Sequence, residues 1–578
     1  MIVISETQDN AARWLALALS LAGVAEPVFA QPGASRVSPN TLAPDNQDRP
    51  SDVTLGGALY LETPAGADQL SVTLGSIEVV GGEPAFADAI NAATAGLAGT
   101  PSKVSDLYAA ARKIEAAYAQ AERVLTRVTI PPQHISDGSV FKILIVDGFI
   151  ESIDDHGVPD RARAAVRRQA SPLIGAHKLT LAEIERRVLL AGQTPGVQLR
   201  STLTPGSAVG AVKLVLTSTW KPTSYSISAE NNLGAAFGDV AFSTQVSINN
   251  GLGQGELIYA QATSGPDIDH LFDRAPRRRI VGLGVASPIG DSGLAFNPEY
   301  IRVDTNPKPV PGAAEVSGQF ERIAFRLRYP LILSRSQSLD LTGGLDLIEE
   351  TAQVRAFDLT VNHDRLRVAN VGIRWAYRLG DNARVTIEPG FSQGLSGLGA
   401  RSVGEALASG VPLSRQGTRP DFSKFTARLK LDNQLVSGLA LSSVLRGQLS
   451  DSGALPASAL FSLDGTDGVS GFSQGSLSVD SGVTARSELN RPVRFVAATV
   501  ALVTPYGFAA YGAGKLVRPT ALESRTTDTW SYGLGARTLI RPTNSDQTLV
   551  GQIEFSRAPG LGGSSARTHL TVSLTSVF

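Results

Sequence analysis

The feature that most limits the possible folds is an alternation of apolar and polar residues through the C-terminal part of the chain. In the stretch 322–329, Ile323, Phe325 and Leu327 alternate with arginines and an alanine. Residues two apart lie on the same face of a β-strand, so each such stretch predicts a strand with one apolar and one polar face. Gly, Asn, Asp and Pro separate the stretches, as turns require. The pattern predicts a large all-β unit over residues 219–578.

Two architectures fit this alternation. A soluble sandwich or barrel would turn the apolar face inward, whereas an outer-membrane barrel turns it toward lipid and its polar face toward a wet lumen. Charges in the middle of the polar face and aromatic residues near strand ends favour the membrane barrel. At roughly 20–25 residues per strand and turn, it would have about 16 antiparallel strands. The cations predicted to line its lumen are Arg326, Arg328, Arg374, Arg378, Arg428 and Lys430.

The N-terminus resembles a secretory signal. Arg13 precedes an apolar run, and Val28-Phe29-Ala30 offers a small-residue cleavage site, so residues 1–30 are predicted to be a signal peptide. A short buried helix is the alternative. Beyond this segment the chain has no apolar run of 18 residues, which argues against a transmembrane helix. Residues 31–69 are rich in Pro, Gly, Ser, Asp and Asn and are predicted to be a linker or mobile arm.

Two consecutive segments, 70–147 and 148–218, share the predicted order strand, helix, helix, strand, strand. Ser102 is a candidate cap for the second helix of the first segment, and Thr180 with Glu183 forms a capping box in the second. Each segment can form a three-stranded sheet with two helices on one face. The sequence therefore predicts a tandem α+β repeat ahead of the barrel.

Composition argues against several kinds of chemistry. The chain has no Cys and a net charge of −1, and no two of its six His lie within 20 residues of each other. Thiolate sites, helical metal pairs and a basic nucleic-acid surface are therefore not expected. A Gly-x-Ser-x-Gly match at Gly471–Gly475 is interpreted as a turn, because a nucleophile elbow needs a strand–turn–helix context. The sequence predicts neither an enzyme nor a cofactor.

Several local stretches carry a resemblance to a known family. They are Arg127–Gln133 with the following Asp137-Gly138 and Val146-Asp147-Gly148, Leu179–Glu185, Leu203–Ser207, Glu230–Asn232 and Asn249–Glu256. In this order, they resemble the outer-membrane transporters of two-partner secretion, the ShlB/FhaC/HecB family. The two repeats resemble the POTRA (polypeptide-transport-associated) domains of that family.

The resemblance implies a function. POTRA domains in the periplasm would capture an unfolded exported partner protein, haemolysin- or adhesin-like and β-helical, and the barrel would pass it to the cell surface. Candidate capture edges are Val197–Leu203 and Leu70–Val80, where an extended client can add a strand. Barrel-assembly factors of the same superfamily and small-solute porins are the alternatives; two tandem POTRA-like units favour secretion. The expected partners are the exported protein, outer-membrane lipid and the barrel-assembly machinery.

Two family motifs depart from their usual residues. The segment Val469, Ser470, Gly471 and Phe472 matches a loop motif that carries Arg in the family where this chain has Ser470. Phe508, Ala510 and Gly512 match a strand motif that carries Asp in the family where this chain has Ala510. In the family this Arg and Asp are thought to pair inside the barrel. We expect the loop to fold inward here as well, held by packing of Phe472 and by backbone hydrogen bonds.

Two further positions matter for assembly and for the first repeat. The last strand places apolar residues on one face and ends on Phe578, similar to the barrel-assembly signal of outer-membrane proteins. The residues of this signal are Leu570, Val572, Leu574 and Phe578. Before the first Pro-Pro-Gln stretch, the family usually has a Gly-Tyr pair, and this chain has Glu122-Arg123.

Overall fold

The computed structural model describes residues 33–44, 52–54, 62–266, 273, 275–308, 315–436, 438–451, 453–496, 499–521, 523–542, 547–560 and 565–578. The predicted signal peptide, 1–30, lies outside these ranges. A short 3-10 helix (Ala34–Val37) and a short strand, β1 (Asp52–Thr54), are followed by two small α+β units and a closed barrel. Within the described ranges, no helix is both long and apolar enough to span a membrane.

The first α+β unit is a three-stranded sheet covered by two helices. Its elements are β2 (Ser71–Val72), β3 (Ser76–Val80), α1 (Ala87–Thr94), β4 (Ser102–Lys103), α2 (Val104–Gln120), β5 (Arg127–Thr129) and β6 (Val140–Val146). In the sheet order β3-β6-β5, β3 is parallel and β5 antiparallel to β6. Helix α2 buries Leu107 and Ile114 in one cluster with Phe141. The predicted cap Ser102 lies in β4, and Lys103 precedes the helix instead.

The second α+β unit repeats this arrangement. Its elements are β7 (Phe149–Gly157), α3 (Asp160–Ala170), α4 (Leu181–Gly192), β8 (Val197–Pro205) and β9 (Ala211–Trp220). The predicted capping box starts α4: the Glu183 backbone N donates to Thr180 Oγ1 at 3.2 Å, and the Thr180 backbone N donates to Glu183 Oε2 at 2.8 Å. In the turn after β8, the Ser207 hydroxyl and backbone N both donate to the Glu151 carboxylate. These hydrogen bonds hold the pKa of Glu151 below its usual value.

The edge of the second sheet is already occupied by the chain itself. The sheet order is β1-β8-β9-β7, and β1 pairs parallel to β8, with Asp52 opposite Arg200 and Thr54 opposite Thr202. Strand β8 includes Val197–Leu203, which the sequence indicated as a candidate capture edge. This edge is therefore already paired with residues 52–54, which precede the first α+β unit.

The two units contact each other directly. The backbone N of Leu181, at the start of α4, donates to the carbonyl of Glu122 at 2.9 Å. Lys178 Nζ lies 3.3 Å from Glu83 Oε2. Glu122 itself has a positive φ of 62°. Side chains disfavour this backbone conformation, so the glycine that the resemblance implies at this position would suit the turn.

The rest of the chain forms an antiparallel barrel closed by pairing of its first and last strands. The elements are β10 (Thr223–Glu230), β11 (Ala241–Asn249), β12 (Leu257–Ser264), β13 (Arg278–Ile289), β14 (Leu294–Thr305), β15 (Val316–Leu333), β16 (Gln337–Val354), β17 (Leu359–Leu379), β18 (Ala383–Gly394), α5 (Val403–Ser409), β19 (Ser423–Val436), β20 (Leu439–Ser450), β21 (Phe461–Ser462), β22 (Ser478–Val479), β23 (Ser481–Asn490), β24 (Val493–Val496), β25 (Thr499–Lys515), β26 (Thr526–Pro542), β27 (Thr548–Ala558) and β28 (Arg567–Val577). Strands β23 and β24 share the partner β25 and count as one, so the described barrel has 16 strand positions. The predicted architecture of α+β repeats and a barrel of about 16 strands is confirmed.

The barrel turns its apolar face outward. Phe325, Val371 and Phe425 are 39%, 59% and 51% exposed, whereas Arg322 on the opposite face of β15 is 8% exposed. A soluble protein buries residues of the first kind, whereas a membrane barrel presents them to lipid. Of the two architectures that the alternation allowed, the structure has the membrane type.

The second α+β unit lies against one end of the barrel. Arg187 of α4 donates to the carbonyl of Asp291 at 2.7 Å, and Arg186 donates to that of Ser292 at 3.1 Å. Glu185 pairs with Arg335 at 2.6 Å. These partners lie in the hairpin turns after β13 and β15. Because successive strands alternate in direction, the loops 231–240, 395–422 and 453–480 lie at the opposite end.

The seam that closes the barrel is short. β10 pairs with β28 over five residue pairs, from Ser226–Val577 to Glu230–Ser573. Asn231 then continues the ladder with its side chain: its Oδ1 accepts from the Val572 backbone N at 2.6 Å, and its Nδ2 donates to the Leu570 carbonyl at 2.8 Å. At the other end of the seam, the Phe578 ring stacks on Tyr225, with ring centroids 4.6 Å apart.

Candidate functional site

The barrel lumen is filled by two segments, of which the first is residues 33–44, here called the arm. Ala34, Val37 and Leu42 of the arm are at most 3% exposed and belong to the apolar cluster inside the barrel. The arm is part of the segment 31–69, which the sequence indicated as a linker or mobile arm. Its sequence has no helical periodicity, and only Ala34–Val37 forms a single 3-10 turn.

Two lumen carboxylates and three lumen arginines hold the arm by its backbone. Glu350 of β16 accepts from Ser35 Oγ at 2.6 Å and from the Ser35 backbone N at 3.2 Å. Arg278 of β13 donates to the Val37 carbonyl at 3.0 Å. Arg322 of β15 donates to the carbonyls of residues 39 and 40, and Arg326 donates to that of residue 40. Because backbone groups make most of these bonds, an extended chain suffices as a plug.

Glu299 of β14 is the centre of this arrangement. It is 2% exposed and accepts from the Leu42 backbone N at 2.7 Å and from Thr41 Oγ1 at 2.9 Å. Arg326 Nη1 lies 2.9 Å from Glu299 Oε1, and the Tyr259 hydroxyl donates to Oε2, which also accepts from Leu42 and Thr41, at 3.1 Å. A carboxylate with this many donors is fully compensated, so it can stay ionised although buried.

The second segment in the lumen is the loop 453–480 between β20 and β23, here called the inward loop. Its own hairpin, β21–β22, leads to the tip 469–472, and Phe472 at the tip is fully buried with Val469 and Leu463. The predicted inward motif Val469, Ser470, Gly471 and Phe472 thus lies at the tip, against the barrel wall. Ser473, in the Gly-x-Ser-x-Gly match, lies in the turns just after the tip.

The base of the inward loop is fixed by a buried ion pair. Asp480 is unexposed and accepts from Arg415 Nη1 at 2.7 Å. The same carboxylate accepts from the backbone N of Leu455 at 2.6 Å and of Val517 at 2.7 Å. Arg415 and Val517 belong to neighbouring outer loops, so the base is tied to both sides of the barrel rim.

The tip meets the wall at Arg486 of β23. Arg486 Nη1 donates to Ser470 Oγ at 2.9 Å. The same guanidinium donates to Glu554 of β27 at 2.6 Å and to Glu488 at 2.8 Å, and it lies 3.8 Å from the centre of the Phe508 ring. Arg486 and Glu554 were not among the lumen residues that the sequence indicated. Both could have been found by the pattern that indicated the lumen cations, which is a charged residue on the polar face of an alternating strand.

The strand motif Phe508, Ala510 and Gly512 lies on β25 directly beneath the tip. Ala510 is the ladder partner of Arg486, and Gly512 is the partner of Thr484. A Cβ atom on Gly512 would come within 3.0 Å of Val469 Cγ2. The glycine therefore allows the tip to approach the wall closely.

The predicted lumen cations mostly have carboxylate partners. Arg328 pairs with Asp340 at 2.8 Å. Arg374 and Arg428 share Glu388 at 2.9 and 3.3 Å, and Arg428 also reaches Asp467 of the inward loop at 2.8 Å. Lys430 pairs with Asp432 at 3.0 Å. Arg326 pairs with Glu299, as described above, and Arg378 is exposed at the strand end that faces α4.

A cavity of about 840 Å³ remains in the lumen. The arm, the barrel wall and the helices α3 and α4 all contribute to its lining, including Asn40, Arg374, Asp346 and Arg168. The second α+β unit therefore forms the floor of the lumen, and the arm and the inward loop occupy the space above it. The site is a channel closed by the arm and the inward loop, neither of which contributes a strand to the barrel.

Comparisons with known proteins agree with this architecture. Residues 72–148 match the ShlB-type POTRA domain model. The chain is 22% identical over 425 residues to the heme/hemopexin transporter protein HuxB of Haemophilus influenzae strain 86-028NP, covering 72% of this chain and 71% of the relative. The structure is similar to CdiB from Escherichia coli, with a TM-score of 0.68, 19% identity and coverage of 90% and 93%. CdiB from Acinetobacter baumannii gives a TM-score of 0.58, 15% identity and coverage of 99% and 97%.

The family model named haemolysin secretion/activation protein ShlB/FhaC/HecB matches residues 210–538, more than half of the chain. The resemblance that the sequence motifs indicated is thereby confirmed. The chain belongs to the ShlB/FhaC/HecB family of two-partner secretion transporters, and it is an outer-membrane translocator for secreted partner proteins, with POTRA domains in the periplasm.

Proposed function

We propose that this chain captures an unfolded, haemolysin- or adhesin-like partner of β-helical type on its POTRA units, which span 70–147 and 148–218, and passes it through the barrel. The observation that carries the proposal is the nature of the closure. The lumen is obstructed by the arm and the inward loop, and both are held by side-chain contacts that can separate while every barrel strand stays paired. A channel built in this way can open to the width of an extended chain.

Capture would occur by strand addition in the periplasm. The edge of β8 already pairs with β1 in parallel register, so this edge accepts an extended segment. A client strand gains the same main-chain hydrogen bonds when it replaces β1. The second candidate edge is β3, which lies at the outside of the first sheet in the order β3-β6-β5.

Passage would require the arm to leave the lumen. The groups that hold it, Glu299, Glu350 and Arg322, would then face the channel. They could bind the backbone of a client in extended form as they bind the backbone of the arm. Both signs of charge lie side by side in the lumen, as where Arg322 and Arg326 contact Glu299, and such a mixture suits a polypeptide of varied sequence.

The alternatives differ in what this lumen would have to do. A small-solute porin needs an open pore, whereas the lumen here holds two chain segments. A barrel-assembly factor shares the architecture but inserts other barrels into the membrane instead of exporting a soluble partner. Membership of a family of transporters argues against an enzyme.

The test is secretion of the partner. When the gene for this chain is deleted, a large exported β-helical protein encoded by a neighbouring gene should accumulate in the periplasm. Re-expression of the chain should restore secretion of that protein into the medium. Other barrel proteins should reach the outer membrane normally in the deletion strain. Unchanged secretion of the partner would refute the proposal, and loss of several unrelated barrels would favour the assembly factor. Planar-bilayer recordings of the purified protein test separately for a pore.

A further inference from the structure

Where the tip of the inward loop meets Arg486, the charged groups all belong to the barrel wall. Arg486 is 3% exposed in its side chain and both of its carboxylate partners, Glu488 and Glu554, lie on barrel strands. To these charged groups the tip contributes only the hydroxyl of Ser470, while the Ser470 carbonyl accepts from Ser556 Oγ of β27 at 3.5 Å. The ionic part of the contact is therefore complete within the wall, and the loop adds one hydrogen bond to it.

We propose that Arg486 is the positioning residue that holds the tip 469–472 on the wall, and that the tip can leave without separating the ion pairs of Arg486. This inference rests on the proposed function in taking the inward loop to be an obstruction of the transport path. When the tip leaves, Arg486 keeps Glu554 at 2.6 Å and Glu488 at 2.8 Å. Arg486 and its two carboxylate partners therefore stay paired, so the large penalty for a stranded buried ion does not arise at this contact.

The wall beneath the tip is also suited to being uncovered. The hydroxyls of Thr529 and Ser531 on β26 and one oxygen of Glu554 are buried without a hydrogen-bond partner among the described residues. A Cβ atom at Gly471 would lie 3.5 Å from the Cβ of Ser531, so the tip covers this patch directly. Water that enters when the tip leaves can satisfy these groups, which favours the released state.

Apolar packing opposes release and keeps the tip docked at rest. Phe472 and Val469 are unexposed, and the Arg567 guanidinium lies 5.2 Å from the centre of the Phe472 ring. The hydrogen bond from Arg486 to Ser470 adds to this packing. A hydrogen bond to a charged donor shifts such an equilibrium by roughly ten-fold to one hundred-fold. Its removal should therefore be measurable as a larger released fraction.

A single cysteine can report the release, because the chain has no Cys of its own. Ser473, next to the tip, is 4% exposed, so in the docked loop a Ser473→Cys reporter is shielded from a membrane-impermeant maleimide. The full-length protein in liposomes is labelled without any client. We expect Ser470→Ala to raise the labelling rate about ten-fold or more, since the rate follows the released fraction.

The matched control is Ser458→Ala in the same loop, which removes a buried hydroxyl without a partner among the described residues. It should leave the labelling rate of Ser473→Cys unchanged. If Ser470→Ala labels at the control rate, Arg486 does not hold the tip and the proposal fails. Heat-modifiable electrophoretic mobility verifies that each variant still forms the barrel.

Salt dependence tests the second half of the proposal. Separation of an ion pair is promoted by salt, whereas loss of a hydrogen bond to a neutral hydroxyl is not. The labelling rate of the Ser473→Cys reporter should change by less than about two-fold between about 0.1 M and about 1 M NaCl. A steep rise would show that release breaks an ion pair. Because the readout needs no partner protein, its failure is distinguishable from failure of secretion.

Discussion

Arg486 lies directly opposite Ala510 in the ladder between β23 and β25. By the motif resemblance, Ala510 corresponds to the family's aspartate and Ser470 to the family's arginine. The Arg486 guanidinium contacts Ser470 from the wall, and its carboxylate partner Glu554 comes from β27. Neither Ser470 nor Ala510 is charged, and an arginine–carboxylate pair of the wall lies beneath the tip.

The first prediction concerns the stability of this pair. Arg486→Ala leaves Glu554 buried without its guanidinium and should lower the free energy of unfolding by about 3–5 kcal/mol. Urea denaturation followed by electrophoretic mobility measures the change. The double variant Arg486→Met with Glu554→Gln removes both charges and should recover much of the loss. An equal loss in the single and double variants would contradict the assignment of the pair.

The second prediction concerns the arm. Glu299→Gln weakens the charge-assisted hydrogen bonds from Leu42 and Thr41, each of which contributes about 1.5–3 kcal/mol. The arm should therefore leave the lumen more often, and the open fraction in planar-bilayer recordings should rise about ten-fold or more. Glu321→Gln on β15, whose carboxylate pairs with Arg302 away from the arm, is the control. Equal conductance of the two variants would show that Glu299 does not hold the arm.

The third prediction concerns the backbone at Glu122, which has a φ of 62°. Glycine adopts this conformation without a steric penalty, although it loses more entropy on folding. Glu122→Gly should therefore raise the free energy of unfolding of the POTRA region by about 0.5–1 kcal/mol. Glu122→Ala keeps a Cβ atom and should give no such gain. Urea titration of the full chain, followed by the fluorescence of Trp220, compares the two variants.

The fourth prediction concerns the seam. Asn231 is 5% exposed and supplies two hydrogen bonds to β28 where β10 has ended. Asn231→Ala leaves a backbone donor and an acceptor of β28 unpaired, which should cost about 1–3 kcal/mol. The temperature at which the barrel loses its heat-modifiable mobility should fall. Asn232→Ala is the control, since its backbone carbonyl rather than its side chain accepts from the inward loop. If both variants lose the heat-modifiable mobility at the same temperature, the Asn231 side chain does not stabilise the seam.

Local sequence patterns were sufficient to predict the architecture of the chain. Alternation in stretches such as 322–329 predicted which residues face lipid, and the capping box at Thr180 and Glu183 predicted where α4 begins. Both depend on residues within a few positions of each other. The prediction was wrong at Ser102, because β4 pairs with β2 there and the helix begins one residue later than that cap implies.

The lumen could be predicted only in part. The polar face indicated Arg326 and Arg374 as lumen residues, but their carboxylate partners lie on neighbouring strands. Which residues stand opposite each other depends on the register of each strand pair, and a shift by one residue would exchange the two faces. The position of the arm in the lumen could not be predicted from the sequence, because backbone groups of an irregular segment make most of its contacts.

The sequence by itself determined that the chain forms two α+β units and a barrel of about 16 strands, since these properties follow from local periodicity, and charges in mid-strand with aromatic residues near strand ends favoured an apolar face on lipid. Only the tertiary structure decided that the arm fills the lumen, that β1 covers the edge of β8, and that Arg486 meets Ser470 and Glu554, which are 16 and 68 positions away. Those contacts arise when barrel closure and strand register bring distant residues together, and neither can be read from neighbouring positions in the sequence.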